Sequence, residues 1–448
     1  MTGEHGPDAP AASASAPATP EETQQAASPS AGAGVSRRRL FSTAAGTAVA
    51  GALVGAGGTA AALSGGDRPS IATAAGDVDI DLNRTVPFYD QPHQAGIRTT
   101  PQRHAVFATF TLADSATKAD LQTLLARWTA AIGQLTGGKA VGQVEPTRPD
   151  ALGGDTGEAH GLFPASLTVT VGLGPSIFGD RFGLGSFRPR ALTELPRIPG
   201  DALEPGLTGG DLSVQACADD PQVAYHAVHN LARMAATVAR THWMVLGFGR
   251  ASAGPGQQTP RNLMGFKDGT RNVNGDAEFD RFVWADDGDW FAGGTYQVAR
   301  KIRITMETWD ATNIANQQET FGRTKDEGAP LSGKVEGDTP DFTATGGDGN
   351  QLISPYSHVS MASPENNGGT KILRRAYNYT DGLNAQGLLD AGLMFLAYMN
   401  DPQHFVDLQT RLGRFDLLNE YIRHIGSAVF AVPPAPKTGA YLAQALFE

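Results

Sequence analysis

His104-Ala-Val-Phe-Ala-Thr-Phe-Thr-Leu112 alternates as a strand with one buried face should. It is followed by Thr117 to Leu135, where Leu121, Leu124, Leu125, Trp128, Ile132 and Leu135 recur at helical spacing. Ser166-Leu-Thr-Val-Thr-Val-Gly172 and Leu212-Ser-Val-Gln-Ala-Cys217 read as further strands. Asp219 and Asp220 can cap a helix from Pro221 to about Arg240, and Trp243-Met-Val-Leu-Gly-Phe248 returns as a strand. Strands followed by helices, with long excursions between them, predict an α+β half on an antiparallel sheet.

The second half uses a similar order. Tyr296 to Ile304 is a strand, Asn313 to Arg323 a helix, and 324–355 a Gly/Asp/Pro-rich excursion. Gly382 to Met399, Pro402 to Leu412 and Asp416 to Ile425 are expected as helices, with Ser427 to Val432 as a closing strand.

Composition limits the function. With 448 residues, 40% hydrophobic, the chain can bury two ordinary cores. A net charge of −11 argues against general affinity for nucleic acid or anionic membrane. Cys217 is the sole cysteine, which excludes an internal disulfide, a Cys-rich zinc site and c-type haem attachment.

Residues 1–35, rich in Ala, Ser, Pro, Gly and Gln, are expected to be disordered. Ser36-Arg37-Arg38-Arg39-Leu40-Phe41 then precedes an uncharged, weakly hydrophobic run from Ser42 to Gly66, the pattern of a Tat export signal over 36–74. An uncleaved membrane anchor is the competing reading of that run. Ala72-Thr73-Ala74 is the cleavage candidate, leaving no membrane span in a chain that begins at Ala75. Export would place the protein outside the cytoplasm: extracellular, periplasmic or attached to the cell envelope. The Tat route carries folded proteins and so hints at a cofactor. The expected domains are 75–255 and 256–448.

Chemistry concentrates in two stretches. Gly265-Phe-Lys-Asp-Gly-Thr-Arg-Asn272 sets Asp268 near two glycines, which let the backbone turn sharply beside a bulky ligand. Of ten histidines, His358 stands apart, just after the long excursion and shortly before Lys371-Ile-Leu-Arg-Arg375. No second histidine or cysteine lies at zinc-site spacing. An axial haem ligand in an apolar pocket suits it better.

Gly265-x-x-Asp268-Gly269, Ser357-His358-Val359, Ile372-Leu373-Arg374-Arg375 and Gly426-Ser-Ala-Val-Phe430 together resemble the dye-decolorising haem peroxidases. Val86-Pro-Phe-Tyr89 and His93-Gln-Ala-Gly-Ile97, with the Tat signal, are similar to its exported deferrochelatase/peroxidase branch. The resemblance implies two ferredoxin-like α+β halves and non-covalent haem b in the C-terminal half. It implies His358 as proximal iron ligand, Asp268 as distal acid/base and Arg374 as distal arginine. Gly265, Phe266 and Gly269 would shape the haem site, with Leu393 and Phe395 as its apolar distal wall. Glu420 is the first choice for the carboxylate behind His358, and Asp416 the reserve. The chain departs from the family at Ser360, where a basic residue is common, and at Ser363-Pro364-Glu365, where Asn-Pro-Arg is familiar. How haem propionates are anchored is therefore open.

Peroxide must lose a proton to bind iron and regain one on its outer oxygen before the O–O bond breaks. Positioned acid/base help is worth about 10²–10⁴ in rate. Aspartate, with an unperturbed pKa of about 3.9, is expected to serve mainly under mildly acidic conditions. Arg374 can hydrogen-bond the departing oxygen. The partners implied are hydrogen peroxide, a reducing substrate and the Tat machinery, and homo-oligomers remain open. A haem-handling protein that carries haem or releases its iron is the alternative.

Overall fold

A computed structural model describes residues 80–249, 259–288 and 290–448. The expected tail, export signal and cleavage site lie outside the described residues, as does the expected domain division at 255/256. No helix among the described residues is long and apolar enough to cross a membrane.

The first half contains strands β1 (His104–Leu112), β2 (Thr168–Leu173), β3 (Leu212–Ala218) and β4 (Ala239–Phe248), with helices α1 (Lys118–Leu135) and α2 (Pro221–Ala235). Thr117 starts α1 through a capping box: its Oγ accepts the Asp120 N–H at 3.2 Å, and the Asp120 carboxylate accepts the Thr117 N–H at 2.9 Å. Every apolar residue picked from the helical spacing is buried. The carboxylate of Asp220 caps α2. That helix stops short of Arg240 because Ala239 and Arg240 already pair with Leu112 and Thr111 of β1.

The second half contains β5 (Thr295–Ile304), β6 (Leu373–Arg374), β7 (Tyr377–Leu383), β8 (Leu389–Met399) and β9 (Ile422–Val432). Its helices are α3 (Asp276–Phe282), α4 (Met306–Asp310), α5 (Ile314–Phe321), α6 (His358–Ala362) and α7 (Gln403–Phe415). Strand order is β4-β1-β3-β2 in one half and β7-β8-β5-β9 in the other, the ferredoxin-like order in both. All strand pairings are antiparallel. Narrow seams join the halves: Gly247 and Phe248 pair with Tyr379 and Asn378, and Leu173 pairs with Ala431. Eight strands thus close a ring, with β6 added beside β8.

Two expected helices are strands. Gly382 to Met399 forms part of the β7–β8 hairpin, with Asn384 Oδ1 accepting the N–H groups of Gln386 and Leu388 at its turn. Met394 and Leu396 face an apolar core shared with Phe107, Trp243 and Phe430, whereas Leu393 and Phe395 face a cavity on the opposite side. A strand buried on both faces is a continuous apolar run, and periodicity alone cannot separate it from a buried helix. Likewise Asp416 to Ile425 holds only a short 3₁₀ turn, Leu417–Glu420, before β9 begins at Ile422.

Beneath the cavity, Arg300 on β5 pairs with Asp201, their side chains 1% and 3% exposed, and Arg300 also donates to Ser427 Oγ at 3.0 Å. Removing one member of a buried pair leaves an uncompensated charge. Asp201→Ala is therefore expected to cost about 3–5 kcal/mol, read from the urea unfolding midpoint. A midpoint equal to that of the unaltered chain would contradict this role.

Candidate active site

The Gly265–Asn272 loop is shaped by its own backbone. Gly265 (φ +86°) and Gly269 (φ +143°) occupy conformations that side chains rarely adopt. Asn262 Oδ1 accepts the N–H groups of Met264 and Phe266, and the Asp268 N–H donates to Pro260 O at 2.8 Å. The loop is tied to β6 by a reciprocal clamp. The Arg374 N–H donates to Asn272 Oδ1 at 2.9 Å, and Asn272 Nδ2 donates to Arg374 O at 2.7 Å. Pairing of Arg374 with Ala397 fixes the same residue to β8. Its guanidinium then reaches back, Nη1 to Asp268 Oδ1 at 3.0 Å and Nη2 to Thr270 O at 3.1 Å.

The long 324–355 excursion braces this loop. Glu336 accepts from Lys267 Nζ at 2.7 Å and from Thr270 Oγ at 2.9 Å, and its carbonyl takes Arg323 Nη1 at 3.0 Å.

His358 is the first residue of α6, capped by the buried Ser357. Its Nδ1 lies 2.6 Å from Asp416 Oδ2, and Oδ1 of the same carboxylate accepts the Leu418 N–H at 2.9 Å. The Leu417 N–H donates to Tyr356 O at 3.0 Å, a second link between these segments. The reserve residue thus takes the role expected of Glu420, which is exposed at the end of the 3₁₀ turn and lines no part of the cavity. The correction follows from α7, which runs to Phe415 and delivers Asp416, buried, at its C-terminal end. Burial opposes a charged imidazole here, but the charge and hydrogen bond of Asp416 prevail and raise the His358 pKa.

Asp268, Gly269, Phe266, Arg374, His358, Leu393 and Phe395 all line one cavity, with about 1710 Å³ of empty space including its opening. Gly265 stands behind the turn, off the cavity wall. Phe321, Ile302, Ile304, Leu412 and Leu418 supply further apolar wall. Sequence reasoning missed Asn272, Thr270, Glu336 and the stack of Phe266 on Phe321 (4.0 Å between centroids). Asn272 closes the quoted motif and was available there. Glu336 comes from an excursion without periodicity and was not.

The donor set fits a haem. Asp416 engages Nδ1 of His358, which leaves Nε2 for a metal, and the His358 side chain is 33% exposed. Among the described residues, no group of three His, Cys, Asp or Glu could hold a bare ion. A lone imidazole suits iron that brings its remaining ligands in a macrocycle, and the apolar walls suit the macrocycle.

The family models for the N-terminal and C-terminal parts of Dyp-type peroxidases match residues 94–249 and 259–437. A dye-decolorizing peroxidase of Thermobifida fusca is 43% identical over 298 residues, covering 64% of this chain and 69% of that protein. A deferrochelatase of Yersinia pseudotuberculosis is 36% identical over 374 residues, covering 81% and 85%. The chain also superposes on an oxyferrous complex of DtpA from Streptomyces lividans with a TM-score of 0.75 at 39% identity, covering 82% of this chain and 99% of that one. The chain belongs to the Dyp-type peroxidase family. Dyp-type peroxidases bind haem, and this chain is an enzyme of that haem-dependent class.

In this Dyp-type site, Glu336 offers a check on how the loop is held. Burial favours its neutral form, yet bonds from Lys267, Thr259 and Thr270 prevail and lower its pKa from 4.5. The stability it contributes is present above that ordinary value and is lost as pH falls through the lower folded-state value. Glu336→Gln should cost on the order of 1 kcal/mol at neutral pH. In urea titrations the difference should shrink below pH 4.5. A difference that stays constant into acid would refute the ionic brace.

Proposed function

We propose that this chain is an exported haem peroxidase in which His358 holds the iron, Asp268 carries the peroxide proton and Arg374 stabilises the departing oxygen. The observation that carries this reading is the pair of charged hydrogen bonds, Arg374–Asp268 and His358–Asp416, gathered on one apolar cavity. Haem held by His358 would supply a redox-active iron able to store the two oxidising equivalents that hydrogen peroxide brings.

The protein supplies the proton handling. Asp268 Oδ1 is committed to Arg374, so Oδ2 takes the proton from the inner peroxide oxygen and returns it to the outer one. Arg374, a permanent cation, stabilises negative charge on that outer oxygen as it leaves. The Asp416 carboxylate fixes the His358 tautomer and makes Nε2 a stronger donor. Leu393 and Phe395 keep the site apolar, where these charges act strongly.

Hydrogen peroxide and a reducing donor of the dye or phenol class are the substrates of this reading. Residues Ser36 to Gly66 support export by the Tat route. The deferrochelatases among the relatives favour a second reading, in which the chain handles haem and releases its iron, with peroxidase turnover incidental.

An absorption spectrum of the purified chain, with and without one equivalent of peroxide, separates the two. A Soret band that shifts on addition supports the peroxidase; haem without a shift supports the haem-handling reading. Asp268→Asn should lower the rate of that shift by about 10²–10⁴ while leaving haem content unchanged. Arg374→Leu should slow it by about 10–100-fold, the equivalent of a charged hydrogen bond. Reaction of both variants at the unaltered rate would exclude the assignment.

A further inference from the structure

Haem carries two carboxylates at one edge, so a haem cavity needs a cation that can meet them. Most cations on this cavity wall are committed elsewhere. Arg300 is buried against Asp201, Lys267 is given to Glu336, Lys371 to Glu278, and Arg374 to the proton-carrying Asp268. Arg323 is buried and donates to the carbonyls of Gly328 and Glu336. Arg271, like Lys267 and Lys371, lines the cavity while its carboxylate partner, Glu365, does not. Unlike them it carries a planar guanidinium, 28% exposed against 22% for each lysine, that can serve two carboxylates at once.

We infer that Arg271 is this chain's anchor for a haem propionate, held in position by Glu365. The inference rests on the haem reading given above. Glu365 takes Nη1 and Nη2 end-on, which leaves the remaining three of five guanidinium N–H groups for a second carboxylate. The backbone is committed to this placement. Arg271 has φ +58°, a region that non-glycine residues enter when their surroundings hold them there. The bond from Arg374 to Thr270 O and the Asn272 clamp hold it on either side. Burial lowers the Arg323 pKa against the pull of Glu336, and the nearby Arg271 and Arg374 charges add to that lowering. Ser360 and Glu365 stand where the resemblance led us to expect basic residues, and Ser360 is buried. In this chain the cation reaches the cavity from the Asp268 loop, with Glu365 behind it as a positioning residue.

The test titrates apoprotein of the full chain with haemin and with haemin dimethyl ester, whose propionates carry no charge, following the Soret band. Arg271→Gln should weaken haemin binding by about 10–100-fold and hasten haemin loss to apomyoglobin. It should leave dimethyl-ester binding within about twofold of the unaltered chain. Arg271→Lys, which keeps the charge without the fork, should show a smaller loss confined to haemin, and serves if Arg271→Gln does not fold. Equal haemin affinity in the variant and unaltered chains, or equal loss for both ligands, overturns the assignment. An unaltered chain that produces no Soret band with either ligand overturns the haem reading, and this inference falls with it.

Discussion

Arg374 ties the molecule together at the site. Its backbone belongs to the sheet through Ala397, its amide and carbonyl hold Asn272, and its guanidinium holds Asp268 and Thr270. Beyond the buried Phe266, the loop offers only Gly, Lys, Asp, Thr, Arg and Asn, so the geometry around Asp268 has to come from a rigid neighbour. Here one residue transmits the register of β8 to the carboxylate. That is the form of preorganisation an electrostatic catalyst requires, since the ordering cost is met on folding and not during reaction.

The rest of the fold serves the same end. In the second half, Met394 and Leu396 pack with Phe107 and Trp243 of the first half, and Leu393 and Phe395 are left for the cavity. Histidine and carboxylate arrive from separate connections, α6 after the long excursion and the end of α7 after β8. Hydrogen bonds at Asp416 and Leu417 then join them. The excursion itself, although short of regular structure, carries Glu336 to the other side of the site.

Much of this was legible in the residues. Period-2 and helical patterns located β1, α1, β3, β5 and the start of α7. Strands β3 and β5 keep polar residues such as Ser213, Gln215, Gln297 and Arg300 among the apolar ones even though both of their faces are buried. The same rule failed at Leu389 to Met399, an apolar run without alternating polar residues after Asp390, and at Ile422 to Val432, whose first residues carry the same spacing as a helix end. Asp268, His358 and Arg374 could be chosen from their motifs, and they meet on one cavity. The carboxylate behind His358 could not be chosen by counting along the chain. Glu420 and Asp416 are close in sequence, and only the true end of α7 decides which is buried beside the imidazole. Glu336 and the Arg271–Glu365 pair depend on long-range contacts that leave no periodic trace.

The central claim is that Nε2 of one imidazole grips haem iron in the cavity that also holds the carboxylate and the guanidinium. The most direct measurement is the magnetic circular dichroism of haem-loaded His358→Gly, before and after addition of free imidazole. Loss of the histidine-ligated signature in the variant, with its return on adding imidazole, is the predicted result. A spectrum that matches the unaltered protein without imidazole would contradict the account.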